Sequence, residues 1–134
     1  MKSKPSLKQI KKDLKNLKKY GVIIYGSYAT DSFTPRSDID VAVITREKNP
    51  DRNIAIWKEA LKKTKALYHI NIFELLPLHI KADIIDSHIN LFGSKIELSE
   101  YLYHYRKLWE DSKHRYYLNQ FTSYKERIKK LAHY

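Results

Sequence analysis

The chain has no cysteine, which excludes disulfides and thiolate metal sites from both its stability and its chemistry. Its histidines, His69, His79, His88, His104, His114 and His133, are scattered without ligand spacing, so no imidazole metal centre is read from them. No stretch approaches the roughly 18 apolar residues that a membrane-spanning helix needs, and no apolar run follows the N-terminal lysines as a secretory signal requires. A cytoplasmic protein is therefore expected, with no membrane partner. Glycine occurs three times and proline four times in 134 residues, so each marks a definite turn or element end. Residues 97–132 contain neither, which leaves nothing to interrupt a long helix.

What is present is one domain's length of chain, long enough to bury a core, and an uneven surplus of positive charge. The formal net charge is +11, of which residues 1–20 carry +7 and residues 113–134 carry +5, while residues 21–112 sum to −1. Basic ends of this kind suit a polyanion such as RNA or DNA, an acidic partner or the steering of a nucleotide. Solvated lysine faces on amphipathic helices account for them equally well, and nucleic acid is not favoured as a partner.

Leu7, Ile10, Leu14 and Leu17 recur at helical spacing among lysines and predict an amphipathic helix over 6–20, ended by Gly21. Strands are expected at 22–26 and 39–45. Asn49-Pro50 opens a second helix running to about residue 67, with Ile54, Trp57 and Leu61 on its apolar stripe. A third strand is expected at 69–75, a short helix at 77–86, and a small extended piece or turn at 89–93. This order predicts an α/β (α+β) fold, a small mixed sheet with helices packed on it. The domain reading is a core over 1–93 and a helical extension over 94–134.

Two short motifs carry the chemistry. Val22-Ile23-Ile24-Tyr25 ends at Gly26-Ser27, a buried strand stopping at a turn without side-chain bulk, where backbone amides and the Ser27 hydroxyl can meet phosphate oxygens. Ten residues later, Asp38-Ile39-Asp40 opens a strand whose alternation sets both carboxylates on one face and Ile39, Val41 and Val43 on the other. Two carboxylates about 7 Å apart along a strand repel unless a cation lies between them, and hard oxygen ligands suit Mg²⁺ or Mn²⁺.

Gly26-Ser27, the ten-residue gap and Asp38-Ile39-Asp40 resemble the signature of the DNA polymerase beta-like nucleotidyltransferase superfamily, and the small size resembles its minimal nucleotidyltransferase branch. The likeness runs from about Leu7 to about Gly93. It implies a nucleotidyltransferase-like core that transfers a nucleoside monophosphate from ATP or another NTP to an acceptor hydroxyl. Asp38 and Asp40 would hold two divalent metals and Gly26-Ser27 the triphosphate, with Arg36 as a candidate for the leaving pyrophosphate. In that family a third carboxylate comes from a later strand. Here Asn71 falls at that position, and an amide cannot take a proton at neutral pH, so Asn71 could orient an acceptor without acting as base. Glu74 is the nearest acid, pointing to the opposite face unless a bulge or strand end turns it.

Beyond Ser94, Leu98, Leu102, Tyr105, Trp109, Tyr116, Ile128 and Leu131 recur at helical spacings and predict one or two long helices, with a break available at Thr122-Ser123. A stripe this long exceeds what the core can cover, so a homodimer or a heteromeric complex is expected through this region. Proteins that this chain resembles are often paired with a HEPN protein as antitoxin and toxin, which implies a HEPN-type partner and, in the leading reading, AMP transfer to a protein side chain. Two other readings stand beside it: a catalytically impaired nucleotide-binding antitoxin that acts by complex formation, and an RNA-directed transferase or RNA-binding subunit.

Overall fold

The computed structural model describes residues 4–132. The element order is α1 (Leu7–Asp13), β1 (Gly21–Tyr25), β2 (Ile39–Ile44), α2 (Pro50–Lys63), β3 (Tyr68–Ile72), α3 (Leu78–Asp86), β4 (Ile89–Phe92) and α4 (Lys95–Ala132). The four strands form one mixed sheet in the order β3-β2-β1-β4, with β1 antiparallel to β2 and β4, and β2 parallel to β3. The expected α/β architecture is thus observed. The segment at 89–93 proves to be the edge strand β4 rather than a free turn. No described helix is long and apolar enough to cross a membrane.

Alternation along the strands builds two cores. Val22, Ile24, Ile39, Val41, Val43, Ile70 and Ile72 face α1 and α2, where Ile10, Leu14, Trp57 and Ala60 cover them. Ile23, Ala42 and Ile44 face the other way, onto Phe73, Ile84 of α3, and Leu98 and Leu102 of α4. The first turns of α4 therefore belong to the core. Gly93 makes this packing possible. Its φ of +109° turns the chain from β4 towards α4, and a Cβ there would lie 3.1 Å from Leu98 Cδ1 and 3.3 Å from the Gly21 backbone.

The N-terminal helix is shorter than the apolar spacing predicts. It stops at Asp13, and Lys15–Leu17 form a separate 3₁₀ turn. With three residues per turn, Leu14 and Leu17 eclipse, and both are buried under the sheet. Asp13 fixes the junction. Its carboxylate accepts hydrogen bonds from the Tyr68 hydroxyl at 2.6 Å and Lys65 Nζ at 3.0 Å, tying α1 to the start of β3. The Tyr68 hydroxyl in particular holds the Asp13 carboxyl below its ordinary range, against a smaller opposing effect of burial.

α4 is one helix of 38 residues. It continues through Thr122-Ser123, because Thr122 Oγ1 donates to the Leu118 carbonyl at 3.0 Å, so the hydroxyl is satisfied within the helix. From Tyr117 to Leu131 every residue is exposed, so this part of the helix lies free of the core.

Candidate active site

β1 pairs antiparallel with β2 so that Tyr25, its last residue, stands opposite Asp40. The chain then turns at Gly26, whose φ of +71° is a conformation that residues with a Cβ rarely adopt. Gly26–Tyr28 form a single 3₁₀ turn, closed by Ala29 N and Thr30 N donating to the Gly26 carbonyl at 3.1 and 3.2 Å. Tyr28 anchors it from inside, with its ring buried and its hydroxyl donating to the Pro5 carbonyl at 2.6 Å. Ser27, between them, stays partly exposed.

The turn lies directly on Asp40. A Cβ built on Gly26 would overlap Asp40 Oδ2 and lie 3.2 Å from its Cγ and 3.4 Å from its Cβ. Glycine at 26 is thus required twice, by the backbone angle and by the carboxylate beside it. Asp40 is half-buried on the α3/α4 face of the sheet, while Asp38, one strand period earlier and just outside β2, is exposed.

β3 contributes the residues on the far side of Asp40. In the parallel register His69 stands opposite Asp40 and Asn71 opposite Ala42. His69 Nδ1 is 3.1 Å from Asp40 Oδ1. Asn71 is one strand period further along, and its Nδ2 donates to the Tyr25 hydroxyl at 2.9 Å. Burial pushes the Tyr25 hydroxyl pKa up, the bond from Asn71 lowers it, and the Asp40 charge adds to the rise. Tyr25, Asp40, His69 and Asn71 make a polar row across one end of an otherwise apolar sheet. Sequence reasoning singled out Asp40 and Asn71 but missed Tyr25 and His69. The signal was available for both: Tyr25 ends the strand before the glycine turn, and His69 alternates with Asn71.

One candidate falls elsewhere. Glu74 is not brought to the aspartates. Its carboxylate accepts from Thr45 N at 3.1 Å, Arg46 N at 3.0 Å and the Tyr101 hydroxyl at 2.7 Å, all at the opposite end of β2, about 16 Å from Asp40 at the rise of a strand. The reason is that β3 ends at Ile72 and Phe73–Leu75 curl into a 3₁₀ turn, which aims Glu74 at the loop after β2. It is a strut that holds the positive-φ residue Arg46 and the start of α4 in place. Arg36 is exposed in the loop before Asp38, whose turn is closed by Ser37 N donating to the Thr34 carbonyl at 2.9 Å.

A glycine turn pressed on the second of two closely spaced aspartates, at one end of a mixed sheet, is the arrangement that the motif spacing implies for nucleotidyl transfer. The model of the nucleotidyltransferase domain matches residues 7–130. The chain belongs to the nucleotidyltransferase family. It is 42% identical over 111 residues to a putative protein adenylyltransferase of Methanocaldococcus jannaschii, an alignment that covers 83% of this chain and 86% of that relative. Both place this nucleotidyltransferase among enzymes. Its fold is shared by a chain of a toxin-antitoxin crystal structure with AMP-PNP, at 13% identity and a TM-score of 0.67, over 89% of this chain and 99% of that one. It is also shared with a structure of a tri-AMPylated Shewanella oneidensis HEPN toxin in complex with its MNT antitoxin, at 12% identity and a TM-score of 0.59, over 87% and 95% of the two chains.

Proposed function

We propose that this nucleotidyltransferase moves AMP from ATP onto a hydroxyl of a protein, and that the protein is its cytoplasmic partner, as an antitoxin's HEPN-type toxin would be. The observation that carries the reading is the contact between the Gly26 turn and the Asp40 carboxylate, which sets bare glycine backbone directly against a cation-binding group. The relative named a protein adenylyltransferase supports AMP and a protein acceptor, and the tri-AMPylated toxin in one structural neighbour supports the kind of partner.

The donor set fits a divalent metal of the Mg²⁺ kind. Among the described residues no three His, Cys, Asp or Glu side chains converge as a ready-made cage. Mg²⁺ is commonly held by only one or two carboxylates, with substrate phosphates and water completing its shell, and Asp38 and Asp40 supply that number. When bound, two Mg²⁺ or Mn²⁺ ions neutralise the phosphate oxygens and lower the barrier to in-line displacement. Gly26 keeps a side chain off the Asp40 carboxylate, and Ser27, by its hydroxyl and amide, binds the β and γ phosphates together with the Tyr28 amide, the Ala29 and Thr30 amides being taken by the Gly26 carbonyl. Arg36, on its exposed loop, meets the departing pyrophosphate. On the acceptor side Asn71 occupies the position of the third carboxylate, and its bond to Tyr25 fixes the amide so that its oxygen can orient the incoming hydroxyl. The acceptor oxygen then bonds to the α phosphorus as the bond to pyrophosphate breaks, and the hydroxyl proton passes to water.

The test uses labelled ATP, Mg²⁺ or Mn²⁺, and the protein encoded beside this one. Label should pass to that protein with the wild-type chain and be lost with Asp38→Asn and Asp40→Asn. Equal transfer by those variants rejects the assignment. One observation favours a second reading, in which the chain binds nucleotide and restrains its partner by complex formation alone: β3 presents His69 and Asn71, not an acid, beside Asp40. ATP binding by calorimetry without transfer, with a complex unchanged in Asp40→Asn, would decide for it.

A further inference from the structure

The free half of α4 carries an apolar seam that the core does not use. Tyr117, Phe121, Tyr124, Ile128 and Leu131 follow one another at spacings of four, three, four and three. Each is exposed, by 60%, 56%, 61%, 48% and 74% respectively. This is the alternation of a and d positions in a heptad, which lines up one side of a helix for a helical neighbour. The seam's first ring, Tyr117, meets Trp109 and Tyr116 edge-on; beyond Tyr117 it is distinct from the earlier stripe on the same helix, where Leu98, Leu102, Tyr101 and Tyr105 pack on the sheet and Tyr116 stacks on His79 of α3. The helix thus docks on its own domain with one side and, beyond Tyr117, runs about 21 Å with an unpartnered side of its own.

Charge decides what fits there. With Phe121 and Ile128 at a and Tyr124 at d, Lys125 and Arg127 flank the seam, and Lys129 and Lys130 follow on the outer side. Residues 117–131 contain a single acid, Glu126, and it sits opposite the seam. A second copy of this chain offers no acid at any flanking position, so self-pairing would gather cations from both helices around one seam. The seam is also only about two heptads long, against the three or four that mark a self-sufficient coiled coil. A helix with apolar residues at the same alternation and Asp or Glu beside them meets both features of the surface.

We infer that the seam from Tyr117 to Leu131 is the docking face for an acidic-flanked amphipathic helix of a different protein. The inference deepens the proposed partner reading by naming the face and the chemistry that recognises it, and it makes no use of the nucleotide site.

The test measures binding to the full chain by fluorescence anisotropy with two synthetic helical peptides. Both carry leucine at a and d; one has glutamate at e and g, the other lysine. The acidic peptide should bind, with affinity falling as salt is raised from about 50 to about 300 mM, and the lysine peptide should bind at least about tenfold more weakly. Phe121→Ser with Ile128→Ser should weaken the acidic peptide by at least about tenfold while leaving the thermal melt of the domain unchanged. Asp40→Asn should bind it as wild type does, so failure of the transfer reaction and failure of this surface are read separately. Equal binding of both peptides, or no binding of the acidic one, overturns the inference. So does a dimer of the chain in sedimentation that the double serine variant abolishes, which would give the seam to a second copy.

Discussion

Replacing Gly26 by alanine tests the one contact on which the proposed chemistry stands. At a φ of +71° an alanine costs about 1–2 kcal/mol relative to glycine. Its Cβ would also occupy the place of Asp40 Oδ2, with Cγ only 3.2 Å away, so the carboxylate must swing off its rotamer at a further cost of about 0.5–1.5 kcal/mol. The expected loss is about 1.5–3.5 kcal/mol in urea denaturation, which leaves a domain of ordinary stability folded. Displacing a reacting group by about 1 Å costs on the order of 100-fold in rate, so transfer from labelled ATP should fall by that much or more although Asp40 is still present. Gly93→Ala is the control. Its φ of +109° and its 3.1 Å approach to Leu98 predict a comparable stability loss of about 1–3 kcal/mol, at a position away from the aspartates. The reasoning is refuted if Gly26→Ala keeps wild-type stability and transfer, or if Gly93→Ala loses transfer to the same degree, since stability and not site geometry would then govern the rate.

Glu74→Ala removes the acceptor of the Thr45 and Arg46 amides and of the Tyr101 hydroxyl, which keeps its contact with Tyr105, and should cost about 1–3 kcal/mol while folded protein keeps its transfer rate; a folded but inactive variant would return Glu74 to the site. Tyr68→Phe removes the main cause of the lowered Asp13 pKa. Because that pKa lies below the ordinary 3.8, the stability it contributes is present above about pH 4 and lost as pH falls through the lower folded value. The variant should therefore be about 1.5–3 kcal/mol less stable than wild type at pH 7, with the difference shrinking as the pH falls below about 4; a pH-independent difference contradicts the linkage. His69→Asp places a third carboxylate beside Asp40 and should raise Mn²⁺ affinity in calorimetry by roughly an order of magnitude, and unchanged affinity would show that β3 does not reach the cation.

Much of this architecture was legible because its signals are local. The unbroken β-branched run at 22–24 and the alternation from Ile39 to Val43 announced the central strands, and Asn49-Pro50 announced α2, whose N-cap Asn49 accepts from Asp51 N and Arg52 N. The errors came where a tertiary contact outweighed a local pattern. The apolar repeat of Leu7, Ile10, Leu14 and Leu17 reads as one helix, yet Tyr68 and Lys65, some fifty residues away in sequence, hold Asp13 where the helix ends. Of the one or two helices left open beyond Ser94 the chain takes one, with the Thr122 hydroxyl satisfied locally by the Leu118 carbonyl.

The sequence by itself determined the family, the Gly26 turn, the pair Asp38 and Asp40, and the strand that bears Asp40, because residue identity and spacing along one or two elements suffice for these. Only the tertiary structure decided which side chains stand across from Asp40. Register between β2 and β3 is set by the packing of both sheet faces, and a shift of a single residue would exchange His69 for a buried neighbour. It is the same for Glu74: a 3₁₀ turn after Ile72 carries an acid that lies three residues from Asn71 in sequence to the far end of the sheet, a displacement that no one-dimensional spacing records.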